Sequence, residues 1–409
     1  MTWDFSLHQN LLATLRGAYA FTDVLSVAAA QRAYDDIRLW HGYAPTPLRD
    51  LWAVTARAGV RRVLYKDEAS RFGLDSFKAL GGTYAVASLL QTLLHRQLGR
   101  RAGMEELASG VHHDLTQDIT VVCASDGNHG RAVAAGAKRF GCSSTVFLHE
   151  RVSRTREQAI LNLGGRVVRT PGNYDDSVRA AKHAAAVEGW YLVADTSDDV
   201  SDAIPISTMQ GYASLVIETL AQLTEAGHSL PTHVFLQGGV GGLAAAVISY
   251  LWEKLGPQRV PRFIIVEPRR ADCLYQSAVH GRPTPVTGDL DTVMAGLSCG
   301  EVSRVAWPIV EAGAEFFMTI EDAAAIECMR LLYLGSAGGG SIIAGESGVA
   351  GLAGLLAVAN DPTGEAPSCL RLNASSTVLL IGTEGATDRQ IYEILVHGAP
   401  TAVTGTGKR

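Results

Sequence analysis

Eight short apolar runs, rich in β-branched residues, punctuate the chain: RRVLYK, DITVVCAS, STVFLHE, GRVVRTP, WYLVADT, THVFLQ, RFIIVEP and STVLLIG. Between most of them lie longer segments with apolar residues at helical spacing: FKALGGTYAVASLLQTLLHR, GRAVAAGAKRFG, RTREQAILNLGG, YDDSVRAAKHAAAVEG and GGLAAAVISYLWEKLG. Short runs of this composition predict strands, and the longer segments predict helices. Strands that are apolar throughout, not on alternate residues, must be covered on both faces. The expected class is therefore α/β, with open parallel sheets and helices on both faces.

The chain has 409 residues, and at ~150 residues per domain two domains are expected. Residues 98–118 are polar and weakly periodic, and a second polar break falls near 222–232. Four strand–helix units lie between these breaks, enough for a small α/β domain over 98–222. Residues 1–97 and 223–409 then form a larger, discontinuous domain. Glycine-rich loops follow strands on both sides, which places a ligand in the cleft between the two domains.

Composition narrows the function. The formal charge is −6 and the basic pairs are isolated, so no nucleic-acid face is expected. The opening residues lack a basic segment followed by an apolar core, so no secretory signal is read. The longest weakly charged stretch, LGSAGGGSIIAGESGVAGLAGLLAVAN, is rich in Gly, Ala and Ser and interrupted by Glu346, a poor membrane span. Cysteines 123, 142, 273, 299, 328 and 369 form no Cys-x-x-Cys pair, so no zinc ribbon or dithiol motif is expected. Free thiols and a cytoplasmic location follow.

Five stretches could carry chemistry. SFKALGG opens a helix with Lys78, either a packed stem with its ammonium in water or a desolvated amine able to join a carbonyl cofactor. VVCASDGNHG is a strand–turn–helix in which Asp126 or Asn128 is a simple cap or aims at a ligand, and His129 reads as structural. THVFLQGGVGG presents Gly238, Gly239, Val240, Gly241 and Gly242 at a helix start, which suits a phosphate. It lacks the lysine of a nucleotide-binding loop, but a nicotinamide reading stays open with Glu267 as ribose acid. IGTEG places Thr383 after a strand as a turn cap or as a partner for a heteroaromatic nitrogen. GESGVAG sets Glu346 among apolar residues, either buried with a partner or exposed.

Taken in order, YAPTPLRDL, YKDE, SFKALGG, DGNHG, GGVGG and IGTEG resemble the fold-type-II pyridoxal-phosphate enzymes, which include serine and threonine dehydratases and the tryptophan synthase β-subunit. The resemblance spans nearly the whole chain. ASDGNHGR, MQGY, MAGLSCG and IGTEGATD are most similar to the branch that eliminates ammonia from 2,3-diaminopropionate. It implies that Lys78 holds pyridoxal 5'-phosphate as a Schiff base, that residues 238–242 bind its phosphate, that Asn128 meets the ring hydroxyl and that Thr383 meets the ring nitrogen. It also implies Asp126 and Asp195 as acid/base groups, a small amino-acid substrate, a homodimer and no metal. The SDDVSDAIP that runs on from Asp195 departs from the aromatic-containing segment expected after it.

Overall fold

The computed structural model describes residues 3–398 except 126, 198 and 200. All eight apolar runs are strands: β3 (Arg62–Asp67), β4 (Thr120–Ala124), β5 (Ser143–His149), β6 (Arg166–Thr170), β7 (Tyr191–Leu192), β8 (His233–Gln237), β9 (Arg262–Pro268) and β11 (Thr377–Gly382). Three more were not among those runs: β1 (Phe5–Gln9), β2 (Leu48–Asp50) and β10 (Phe316–Ile320). A seven-stranded sheet has the order β1-β10-β9-β8-β11-β3-β2, and a four-stranded sheet the order β6-β5-β4-β7. The smaller sheet is wholly parallel. The larger is parallel through its five central strands and antiparallel at both edges, where β1 meets β10 and β2 meets β3.

The alternating side chains of the central strands feed two different cores. Val234, Leu236, Phe263, Ile265, Leu379 and Ile381 enter one, while Phe235, Ile264, Val266, Val378 and Leu380 enter the other. Burial on both faces is why these runs carry no polar alternation. β10 reads FFMTI and is buried throughout; five residues, four of them apolar, give too little periodicity to tell a strand from a helical turn.

The five expected helices are present: Lys78–Leu98, Asn128–Phe140, Arg154–Leu161, Tyr174–Glu188 and Gly242–Leu255. The helix Ala203–Glu225 follows the smaller sheet and packs against Lys78–Leu98 and Gly242–Leu255. Glycine allows the first of these contacts. A Cβ at Gly81 would lie 2.6 Å from the Thr208 carbonyl oxygen, and one at Gly211 would lie 2.7 Å from that of Leu80. The close approach sets the Tyr212 ring 4.6 Å, centroid to centroid, from Phe77, beside Lys78.

A buried ionic cluster fixes the same helix to the segment leading into Lys78. Glu218 accepts from Lys66 Nζ at 2.7 Å and from both terminal nitrogens of Arg71 at 2.8 Å. Glu68 accepts from Arg71 Nε and Nη2, each at 2.8 Å, and from the Thr46 hydroxyl at 2.6 Å. Two cations and two anions balance, and every carboxylate oxygen is hydrogen-bonded, the condition under which buried charge is tolerated.

Candidate active site

The glycine-rich turns after β4 and β8 and the end of β11 converge on one cavity of about 930 Å³. Its wall takes Lys78, Asn128 and Asp195 together with Gly238, Gly239, Val240, Gly242 and Thr383. It lies at the carboxyl ends of strands from both sheets, where open α/β folds bind ligands. Gly241 is the one member of the predicted loop off the wall; its φ of +96° serves the turn into the helix. Asp126 lies outside the described residues, and its neighbours Ser125 and Gly127 line the cavity.

Lys78 is the first residue of its helix, and its Nζ donates to Asp195 Oδ2 at 2.5 Å. Burial disfavours charge on both groups, but their mutual attraction outweighs it. Lys78 is held above the ordinary lysine range and Asp195 below the ordinary aspartate range. The Tyr212 ring covers the ammonium at 5.7 Å from its centroid. Burial pushes the Tyr212 phenol up to about 12, with Lys78 pulling the other way.

His129 turns Nε2 to the Val193 carbonyl oxygen at 2.8 Å, while its Nδ1 lies 4.0 Å from Asp195 Oδ2. A carbonyl only accepts, so the proton sits on Nε2. Burial lowers the imidazole pKa, against the raising pull of Asp195. The bond to Val193 holds the segment that leads to Asp195, and the ring also lines the cavity.

The glycine loop is shaped for close approach. Gly239 has a φ of +62°. A Cβ at Gly238 would lie 2.3 Å from Glu267 Cγ, a carboxylate that cannot move aside because it accepts from Leu274 N at 3.2 Å and Tyr275 N at 2.7 Å. Burial raises Glu267 to about 8. Glu267 thus caps the start of the helix Cys273–His280 and takes no part in the cavity wall, which removes it as a ribose-binding acid. The first turn of Gly242–Leu255 offers backbone N–H groups with no intrahelical acceptor, where an anion is favoured. We expect Gly238→Ala to cost about 1–3 kcal/mol by overpacking against Glu267. Thermal unfolding reads the loss.

Sequence reasoning missed several wall residues. Asn128 Nδ2 donates to Glu384 Oε2 at 2.5 Å, and Glu384 Oε1 accepts from Ser347 N at 3.1 Å. Arg156 passes beneath the turn, where a Cβ on Gly127 would lie 3.0 Å from its Cδ, and its Nη2 donates to Glu346 at 2.8 Å. Glu346 is buried, which settles the reading left open above; burial and then the Glu384 charge raise it to about 7. The signal for Glu384 was its place in IGTEG beside Thr383. Arg156 carried no signal, because its partner is 190 positions away. All six cysteines are free thiols. No helix among the described residues is long and apolar enough to cross a membrane.

These donors suit an anionic, aromatic cofactor with a carbonyl group. A glycine turn and the Lys78 amine share one wall, and the Asn128 Oδ1 there is buried without a partner. The sequence profile of the pyridoxal-phosphate-dependent enzymes matches residues 39–380, and the chain belongs to that family. Among its relatives is the diaminopropionate ammonia-lyase of Escherichia coli, 41% identical over 363 residues, which are 88% of this chain and 89% of that one. Crystal structures of the Escherichia coli enzyme superpose with 97% of each chain covered. The complex with an aminoacrylate–pyridoxal-phosphate azomethine intermediate has a TM-score of 0.86 at 37% identity, and the complex with D-serine has 0.87 at 36%.

Proposed function

We propose that this enzyme is a pyridoxal-phosphate-dependent ammonia-lyase that converts 2,3-diaminopropionate to pyruvate and ammonia. The observation that carries the reading is the Lys78–Asp195 pair, set in one cavity with the glycine loop, in a chain that aligns with diaminopropionate ammonia-lyase over 88% of its length.

Residues 238–242 would hold the cofactor's phosphate, Lys78 its aldehyde carbon, Asn128 its ring hydroxyl and Thr383 its ring nitrogen; so held, it would supply an electron sink for the charge left at the substrate's α-carbon. A hydroxyl at Thr383 in place of a carboxylate would leave the ring nitrogen unprotonated and favour elimination over transamination. The Lys78 amine would act as the base toward the α-proton of one enantiomer. Asp195 lies within hydrogen-bond reach of that amine and controls its protonation. Asp126 pairs with the β-ammonium, protonates the departing nitrogen and serves as base for the other enantiomer. A serine hydroxyl would give that carboxylate no charge to pair with, which favours diaminopropionate over serine. The Escherichia coli enzyme forms a complex with D-serine, which supports access by a D-amino acid.

The test is steady-state pyruvate formation from L- and D-2,3-diaminopropionate against L-serine, with Asp126→Ala. D-activity is expected to fall by roughly 10²–10⁴-fold and L-activity by much less. Equal losses would defeat the two-base scheme, and a serine preference would make the protein a dehydratase of the same fold. We further assign a homodimer in the cytoplasm, and two domains, 1–97 with 223–409 and 98–222, built on the two sheets. Sedimentation and limited proteolysis test the assembly and the boundaries.

A further inference from the structure

A second cavity of about 760 Å³ lies against the first. Ala124, Tyr174, Val240 and Cys299 line both, so the two spaces are separated by single side chains. The partition runs beside the reacting amine. Asp195 lines the first cavity and holds Lys78 Nζ, while its neighbours Ala194 and Thr196 line the second. Beyond those shared residues the lining has an apolar part, from Val178, Ala181, Leu192 and Val302, and a polar part, from Thr196, Ser197, Lys182 and Glu301.

Diaminopropionate has nothing to place there. Its three functional groups are charged or engaged in the first cavity, and the apolar part of the second, at Val178, Ala181, Leu192 and Val302, gives a charged group no stabilisation. On the reading proposed above, on which this inference rests, the α-nitrogen replaces Lys78 on the cofactor and the carboxylate needs hydrogen-bond donors. The β-nitrogen alone is free to carry a substituent. We propose that the second cavity is a substituent-binding subsite, and that β-N-alkyl-2,3-diaminopropionates with short chains are substrates. The balance is that of the parent reaction. The α-proton is removed, the Cβ–N bond breaks with its electron pair on nitrogen, and the departing nitrogen takes up a proton. A primary alkylamine leaves in place of ammonia, and water hydrolyses the remaining aminoacrylate to pyruvate and one ammonium ion. The alkylated nitrogen is still basic, so it departs protonated as the parent does.

The experiment compares kcat/KM of the holoenzyme for 2,3-diaminopropionate and its β-N-propyl derivative. A second, non-kinetic measurement titrates straight-chain 2-amino acids of four to seven carbons, which lack a β leaving group, by calorimetry. Affinity is expected to rise about fourfold per methylene buried. Val178→Phe and Thr196→Leu, each filling the second cavity, are expected to flatten that rise. They should cut kcat/KM for the propyl substrate by roughly tenfold or more, with the parent value within about twofold. Parent turnover without propyl turnover, affinity flat with chain length, or equal loss on both substrates would overturn the subsite and leave the lyase intact. Absence of pyruvate from the parent as well would overturn the lyase reading itself, and the subsite with it.

Discussion

Lys78→Ala is expected to abolish turnover, lowering kcat by roughly 10²–10⁴-fold or more from the loss of the proton-transfer group alone. Loss of the covalent attachment adds to this. The same substitution should remove the visible absorption of the bound cofactor at neutral pH, because free pyridoxal phosphate then exchanges with solvent. Pyruvate assay and the absorption spectrum of purified protein check both. Retained absorption together with retained turnover would mean that another amine carries the chemistry. Lys66 is fully buried, is committed at 2.7 Å to Glu218, and does not line the cavity that holds Lys78. It is expected to give an ordinary stability loss on substitution, with the cofactor spectrum unchanged.

Asp195→Ala carries the second large effect, and it is legible without cofactor. Removing one member of a buried ion pair costs roughly 3–5 kcal/mol, because the survivor is left charged and unpaired. The Lys78 side chain keeps 21% of its exposure and Asp195 keeps 13%, so solvent screens the pair and the loss should fall at the low end of that range. Urea unfolding of the apoprotein measures it, and the double variant Lys78→Ala/Asp195→Ala should lose much less than the two single variants summed. Additive losses would show that the pair is not coupled.

The pH dependence of the same cycle has a definite sign. Asp195 is depressed in the folded state, so its share is complete above the unfolded carboxylate value, near pH ~4, and is lost as pH falls further. Lys78 is raised, so its share is complete below the unfolded lysine value, near pH ~10.4, and is lost as pH rises further. The coupling should hold steady between those limits and shrink outside them.

The two kinds of evidence divide along a physical line. Strand positions in the cores were readable, because burial on both faces writes itself as an unbroken apolar run, as in THVFLQ and STVLLIG. The edge strand FSLHQ is half-covered and short, and Phe316–Ile320 is too brief for its period to decide, so both escaped. The helix Ala203–Glu225 announced itself only through MQGY, since its partners are helices far away in sequence.

The site divides in the same way. The order of local motifs by itself determined the α/β class and the cofactor type, and it singled out Lys78 and the glycine loop, which the structure brings to one cavity wall. Each of these depends on residue types within one turn, where glycine angles and helix termini follow from adjacent positions. Only the tertiary structure decided that Asp195 is the partner of Lys78, that Glu267 caps a helix, that Arg156 reaches Glu346, and that a second chamber adjoins the first. Those are contacts between segments tens to hundreds of residues apart. Charge pairing and cavity shape act through space at a few ångströms, and linear spacing carries no record of them.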